Sequence, residues 1–229
     1  MKIDILTLFP EMFTGFLNES IIKRAIDKKK VEVNLINFRD YTPDPHNKVD
    51  DTPFGGGAGM VLMIEPIYNA LMDIKTDDSH IVLLTPSGVT YNESKAKELK
   101  KYSHLILICG HYEGFDERIR QIIKPREVSI GDFVLTGGEL PALCVMDSVS
   151  RKLEGTLGKI ESAHDDSFSD GLLEYPQYTK PREYRGLEVP EVLLNGNHKL
   201  INEFRFQQKI ERTKTKRPDL YKKWLDKQN

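Results

Sequence analysis

The residues best suited to chemistry fall into two groups. The first is a pair of glycine-bearing loops: Gly110-His111-Tyr112-Glu113-Gly114 follows the apolar run Leu105–Ile108, and Thr136-Gly137-Gly138 follows Phe133-Val134-Leu135. Glycine lets a backbone approach a ligand closely, and loops at strand ends are where ligands bind in α/β folds. Two tight turns would leave the same marks. Neither loop matches GxGxxG or GxxxxGK(S/T), so the two common phosphate-binding fingerprints are absent. The second group is Asp165, Asp166 and Asp170 in a polar segment, preceded by Arg151 and Lys152. A carboxylate can take a proton in a transition state, and a cation can stabilise charge that develops there. Alone, these charges read first as solvated, because cations in a last helical turn complement the macrodipole.

The elements that must position them follow from periodicity. Lys2 to Phe9 reads as a buried strand, and Glu11 to Lys29 carries apolar residues at helical spacing. Val31 to Leu35 alternates as a second strand. Arg39 to Gly59 is polar, rich in Pro and Gly, and too long for an ordinary connection. A helix is expected over Glu65 to Lys75, and a strand over His80 to Thr85, stopping at Pro86-Ser87-Gly88. Thr90-x-x-Glu93 resembles a capping box that opens a helix to about Lys101. His104 to Cys109 reads as a strand, Asp116 to Ile123 as a helix, Arg126 to Ile130 as a short strand and Glu139 to about Leu153 as a helix. Strands alternating with helices predict an α/β domain with a mostly parallel sheet over residues 1–154. Residues 155–180 read as a polar linker. Residues 181–229 read as a small helical domain, with helices near Asn197–Thr215 and Pro218–Lys227.

At 229 residues, 39% hydrophobic and 30% charged, the chain has the composition of a soluble globular protein. Its two cysteines, Cys109 and Cys144, are too few for a disulfide framework and read as buried thiols. No apolar run reaches the ~18 residues of a membrane helix, and the N-terminus lacks a signal-peptide pattern. The expectation is a cytoplasmic protein. Net charge is −2, yet Lys199 to Lys227 holds ten Lys or Arg against four acids. That excess is either an electrostatic footprint on phosphates or a solvated helix face. Asp50-Asp51 before Gly55-Gly56-Gly57-Ala58-Gly59 is a weak metal signal. His46, His164 and His198 are too dispersed for a zinc site, so no metal centre is expected.

Wording carries more than spacing. CGHYEGFDERI (Cys109–Ile119) and SIGDFVLTGGELPA (Ser129–Ala142) resemble the cofactor-binding core of bacterial tRNA (guanine-N1)-methyltransferases, in the knotted SPOUT superfamily of S-adenosylmethionine-dependent RNA methyltransferases. The resemblance extends to VDDTPFGGGAGMVLM (Val49–Met63), DSFSDGLLEYPQYTKP (Asp166–Pro181) and VPEVLLNGNH (Val189–His198), in the same order. It implies a deep trefoil knot built from the loops at Pro86, Gly110 and Gly131–Gly138. It implies methyl transfer to N1 of guanosine 37 of tRNA, contact with the anticodon stem-loop, and a homodimer with its active site at the subunit interface.

The resemblance assigns Asp166 as general base and Arg151 as the partner of developing charge. An unperturbed aspartate titrates near ~3.9, too low to draw off the N1 proton unaided, so Arg151 is expected to make the base more acidic in place. For S-adenosylmethionine the resemblance points to Pro86, Gly110, Tyr112, Glu113, Ile130, Gly131, Asp132, Phe133, Val134, Leu135, Gly137, Gly138 and Pro141. For RNA it implicates Asp50, Gly55, Gly59 and Ser162. The basic residues Lys199, Arg205, Lys209, Arg212, Lys214, Lys216 and Arg217 complete the expected RNA surface. Mg²⁺ stays an open assistant, since no ligand set for it is legible. Ala58, His111 and Lys180 stand where relatives often carry proline, arginine and arginine. Two other readings stay open: a methyltransferase of ribose hydroxyls or ribosomal RNA, and a non-catalytic RNA-binding module with an old cofactor pocket. A dinucleotide oxidoreductase is disfavoured by the missing fingerprint.

Overall fold

The apolar runs of the first half of the chain become one parallel sheet. The computed structural model describes residues 1–156 and 166–228. Its strands are β1 (Lys2–Thr7), β2 (Glu32–Asn37), β3 (Asp50–Asp51), β4 (Val61–Leu62), β5 (Ser79–Thr90), β6 (His104–Cys109), β7 (Arg126–Ser129), β8 (Glu183–Tyr184) and β9 (Leu187–Glu188). Five of them form a sheet in the order β2-β1-β6-β5-β7, every neighbouring pair parallel. The short pairs β3–β4 and β8–β9 are antiparallel. All six residues of β6 are buried, which is why Leu105–Cys109 is continuously apolar rather than alternating.

The two faces of the sheet sort by parity. Ile3, Ile5, Leu105 and Leu107 join α6 (Glu139–Ser150), with Ala142, Val145 and Met146, on one face. Leu6, Ile106 and Ile108 join α3 (Ile64–Ile74) and α5 (Arg118–Ile123) on the other. The expected mostly parallel α/β domain is therefore present. The described residues fall into two compact units, Met1–Gly158 and Lys159–Asn229. Among them, no helix is long and apolar enough to cross a membrane.

Three local expectations are corrected. Glu11–Lys29 is not one helix but a 3-10 turn (Pro10–Phe13), α1 (Thr14–Leu17) and α2 (Ser20–Asp27). Asn18 closes α1 by donating its side-chain amide to the Thr14 carbonyl at 2.8 Å, and Ser20 takes a positive φ of 55°. β5 does not stop at Pro86. It shifts register between Leu84 and Val89 and rejoins β7 through Val89 and Thr90. Gly88 permits this, because a Cβ there would collide with the Val128 backbone and lie 2.6 Å from the Glu127 carbonyl carbon. Thr90, held in the strand, does not cap α4 (Glu93–Leu99). Asn92 does, accepting the Lys95 N–H at 3.1 Å.

A polar rung crosses the sheet at its amino end. Asp4, 1% exposed, accepts from Asn34 Nδ2 at 2.8 Å and from Lys2 Nζ at 2.9 Å, and its Oδ2 lies 2.8 Å from His104 Nε2. His104 Nδ1 lies 2.8 Å from Ser79 Oγ. Four strands are thus tied through one buried carboxylate. Its removal strands the donors that face it, so Asp4→Ala is expected to lower unfolding stability by about 3 kcal/mol, read as a lower urea midpoint at unchanged m-value.

The second unit is organised by α7 (His198–Lys216), capped by Asn197, and α8 (Pro218–Leu225). Trp224 stacks near Tyr221 and meets the edge of Phe206. Leu200 and Leu225 are exposed. The segment after Asp166 packs on α7: Leu172 is fully buried, and the Leu173 N–H reaches Thr213 Oγ1 at 2.8 Å.

Candidate active site

β6 and β7 end beside the bulge of β5 at the carboxyl edge of the sheet, where ligands bind in open parallel sheets. A cavity of about 480 Å³ opens there. Its walls come from Leu84–Pro86, Gly110–Phe115, Val128–Gly131 and Phe133–Gly138, with Glu117, Arg120 and Pro141. The two glycine loops, distant in sequence, meet: the Gly138 N–H donates to the Gly110 carbonyl at 2.8 Å, and His111 bridges Gly137. Gly138 sits so close that a Cβ would lie 2.6 Å from Cys109 Cα and 2.7 Å from the Gly110 nitrogen.

Of the sequence-predicted cofactor positions, Pro86, Gly110, Tyr112, Glu113, Ile130, Gly131, Phe133, Val134, Leu135, Gly137, Gly138 and Pro141 all line this cavity. Asp132 is exposed and outside the lining. His111 of the first glycine loop lines it too, and so do Thr85, Ser129 and Arg120, which the sequence did not single out. The bulge after Leu84 brings Thr85 in, and Arg120 carried no local signal.

Glu139 was also missed. It is 1% exposed. Thr7 Oγ1 donates to its Oε1 at 2.6 Å, and its Oε2 lies 2.8 Å from His111 Nε2. Phe9 packs on His111 with ring centroids 4.7 Å apart. A carboxylate in the first turn of α6 is favoured by the helix dipole. Here it also ties the end of β1 to the Gly110 loop.

Burial, and then the charge of Glu139, push the Cys109 thiol well above its usual range. Since the thiolate is the reactive form, iodoacetamide at pH 8 is expected to label exposed Cys144 and leave Cys109 untouched until denaturant is added. Mass spectrometry of peptides reads both, and rapid labelling of Cys109 in the folded protein would contradict this account.

The glycine-rich segment reaches the same edge. The Glu113 N–H donates to the Met60 carbonyl at 3.0 Å, and the Leu62 N–H to the Gly114 carbonyl at 2.9 Å. Asp50 is half-buried in β3, while Gly55 and Gly59 are exposed. Lys48 hydrogen-bonds Asp51 and holds its carboxyl below the usual range. Among the described residues, no three His, Cys, Asp or Glu converge as a metal site.

Arg151 is the exposed C-cap of α6, and its N–H donates to the Asp147 carbonyl at 3.0 Å. Lys152 is committed to Glu93, 2.6 and 2.7 Å from its two oxygens. Asp166 is half-buried at the head of a tight turn, its carbonyl accepting from Ser169 Oγ at 2.7 Å. Asp170 is ion-paired with Lys209. Ser162, His164 and Asp165 lie outside the described residues.

On α7, Lys199, Lys214 and Lys216 are exposed and Arg212 is half-buried. Arg217 is exposed and paired with Asp219 at 2.7 Å. Lys209 is only 7% exposed. Arg205 lies over the Tyr175 ring, 4.8 Å from its centroid.

Comparison with known proteins joins this geometry to a family. The family described as tRNA (Guanine-1)-methyltransferase TrmD matches residues 1–223. A relative from Staphylococcus carnosus (strain TM300), named tRNA (guanine-N(1)-)-methyltransferase, is 56% identical over 225 residues, 98% of this chain and 92% of its own. A relative of the same name from Staphylococcus aureus (strain JH9) is likewise 56% identical over 98% of this chain and 92% of its own. A match over nearly the whole length, with both glycine motifs meeting at one cavity, places the chain in the tRNA (guanine-1)-methyltransferase family.

Proposed function

We propose that this protein transfers a methyl group from S-adenosylmethionine to N1 of guanosine in tRNA, at position 37 beside the anticodon. The observation that carries the reading is the cavity at the carboxyl ends of β6 and β7 and the bulge of β5, walled by both glycine loops in a chain of this family. In neutral guanine N1 bears a proton, so its lone pair is withheld. A base must take that proton, and negative charge then grows on O6. Asp166 is the base in this reading, and Arg151 faces the growing charge.

The cavity suits S-adenosylmethionine. Ile130, Val134 and Leu135 offer an apolar slot for adenine, the glycine loops offer backbone groups, and Glu113 offers a carboxylate to a sulfonium. When bound, the donor supplies an electrophilic methyl carbon. The protein's task is to hold it in line with N1, where positioning contributes much of the rate.

The trefoil knot of this reading runs through the Pro86 detour, the Gly110–Gly114 loop and Gly131–Gly138. Its support is the close packing of Gly88 on β7 and of Gly138 on Gly110. Phe133, 54% exposed at the cavity, is apolar surface that a second copy covers in a homodimer. Asp50, Gly55 and Gly59 contact RNA at the catalytic edge, and Ser162 is a further RNA contact in this reading. Lys199, Arg212, Lys214, Lys216 and Arg217 meet phosphates of the anticodon stem-loop, a contribution that weakens with salt. Lys209 contributes by holding Asp170. The deciding experiment incubates the protein with labelled S-adenosylmethionine and a tRNA transcript, then digests to nucleosides for mass spectrometry. N1-methylguanosine is expected, and a different methylated nucleoside as the product overturns the reading.

A further inference from the structure

A second cavity, of about 460 Å³, lies wholly within the C-terminal unit. Its volume is that of a site for one small ligand. Its chemistry is one-sided: among the described residues Lys180, Arg182 and Arg205 line it, and no carboxylate does. Tyr175 and Tyr178 add two rings, and the floor is aliphatic, with Leu193 and Ile201. The Tyr178 ring is half exposed and Arg182 is exposed.

Arg205 gives the sharper sign. Its Nε is sealed from solvent and has no hydrogen-bond partner among the described residues, while its guanidinium lies over Tyr175. A buried donor without an acceptor carries a desolvation cost and calls for a ligand or water to explain it. An anionic group combined with a flat ring satisfies the cations, the orphaned donor and the tyrosines together. A nucleotide has both parts in one residue.

We propose that this cavity receives one unpaired nucleotide of the RNA substrate, distinct from the guanosine that is methylated. The base lies against Tyr178 and the phosphate meets Arg182 and Arg205. Bases offered this way must be unstacked, as single-stranded loops allow and duplexes do not. The inference rests on the reading of tRNA as substrate, and goes beyond it by assigning a nucleotide-sized site away from the methyl donor.

The test is filter binding of a tRNA transcript to the full chain, over a salt series, with parallel methylation assays. Tyr178→Ala is expected to weaken tRNA binding about tenfold, the lower part of the range for losing one base–aromatic stack, while S-adenosylmethionine affinity is unchanged. Tyr178→Phe, which keeps the ring, is expected to restore it. Arg182→Gln is expected to weaken binding and to lower the salt slope by about one phosphate contact. If the parent binds and methylates the transcript but both Tyr178→Ala and Arg182→Gln bind it as tightly as the parent, the cavity assignment falls alone. If the parent neither binds nor methylates tRNA, the assignment falls together with the reading of the function.

Discussion

Asp166→Asn is expected to slow methyl transfer to a tRNA transcript by about a thousandfold, the middle of the range for a positioned general base. Asparagine has nearly the same shape, and the turn it heads is held by its backbone carbonyl, which accepts from the Ser169 N–H at 3.2 Å and from Ser169 Oγ at 2.7 Å. Both contacts run through the backbone carbonyl, so the turn is expected to persist in asparagine's near-identical shape while proton acceptance is lost. Single-turnover rates at saturating donor and tRNA isolate the step, and tRNA affinity is expected to stay within a few fold. A variant as fast as the parent would remove Asp166 from the chemistry. Arg151→Ala is expected to slow the same step by about a hundredfold, typical of removing one group that stabilises transition-state charge. If it instead weakened guanosine binding and left the single-turnover rate intact, the charge-stabilising role would be wrong.

Gly138→Ala is expected to have the second large effect, for a steric reason. Its φ of −82° suits alanine, so the cost comes entirely from the added methyl, placed 2.6 Å from Cys109 Cα and 2.7 Å from the Gly110 nitrogen. Those atoms lie at and just past the end of β6, whose residues are all buried, and cannot retreat without dragging the central strand. Overpacking of this kind costs about 3 kcal/mol, or about 8 °C in Tm for a unit of this size. The 2.8 Å bond from the Gly138 N–H to the Gly110 carbonyl closes the two loops on each other, so donor affinity is expected to fall at least a hundredfold by calorimetry. Gly15→Ala is the control: nothing lies within 4 Å of its added methyl, and in a helix the change stabilises by up to ~1 kcal/mol. Parent-like donor affinity in Gly138→Ala would mean the loop contact is not part of the site.

Much of the fold was legible because the signals were local. β6 occupies the six residues whose apolar run marked it, and α3 and α7 lie within a residue or two of their periodic stretches. By composition the glycine loops fitted a ligand site and plain turns equally, and it was their wording that carried the family. Where the reading failed, a contact from far along the chain had decided the matter. Pro86 looked like a strand stop, but the bare backbone of Gly88 lets β5 return to β7. Thr90 looked like a cap until its pairing with Ser129 fixed it in the strand.

Residue types and spacing by themselves determined the parallel α/β order, the position of the two glycine loops and the basic excess of the last helices. All of these are consequences of periodicity and charge within short windows. Tertiary structure alone decided which charges are buried. Glu139 looks like any acid opening a helix until Thr7, 132 positions away, donates to it. Lys209 looks like its basic neighbours on α7 until Asp170, 39 positions upstream, claims its ammonium. Burying a charge is tolerable only when a partner is supplied, and that partner is chosen by the fold, not by the neighbouring residues.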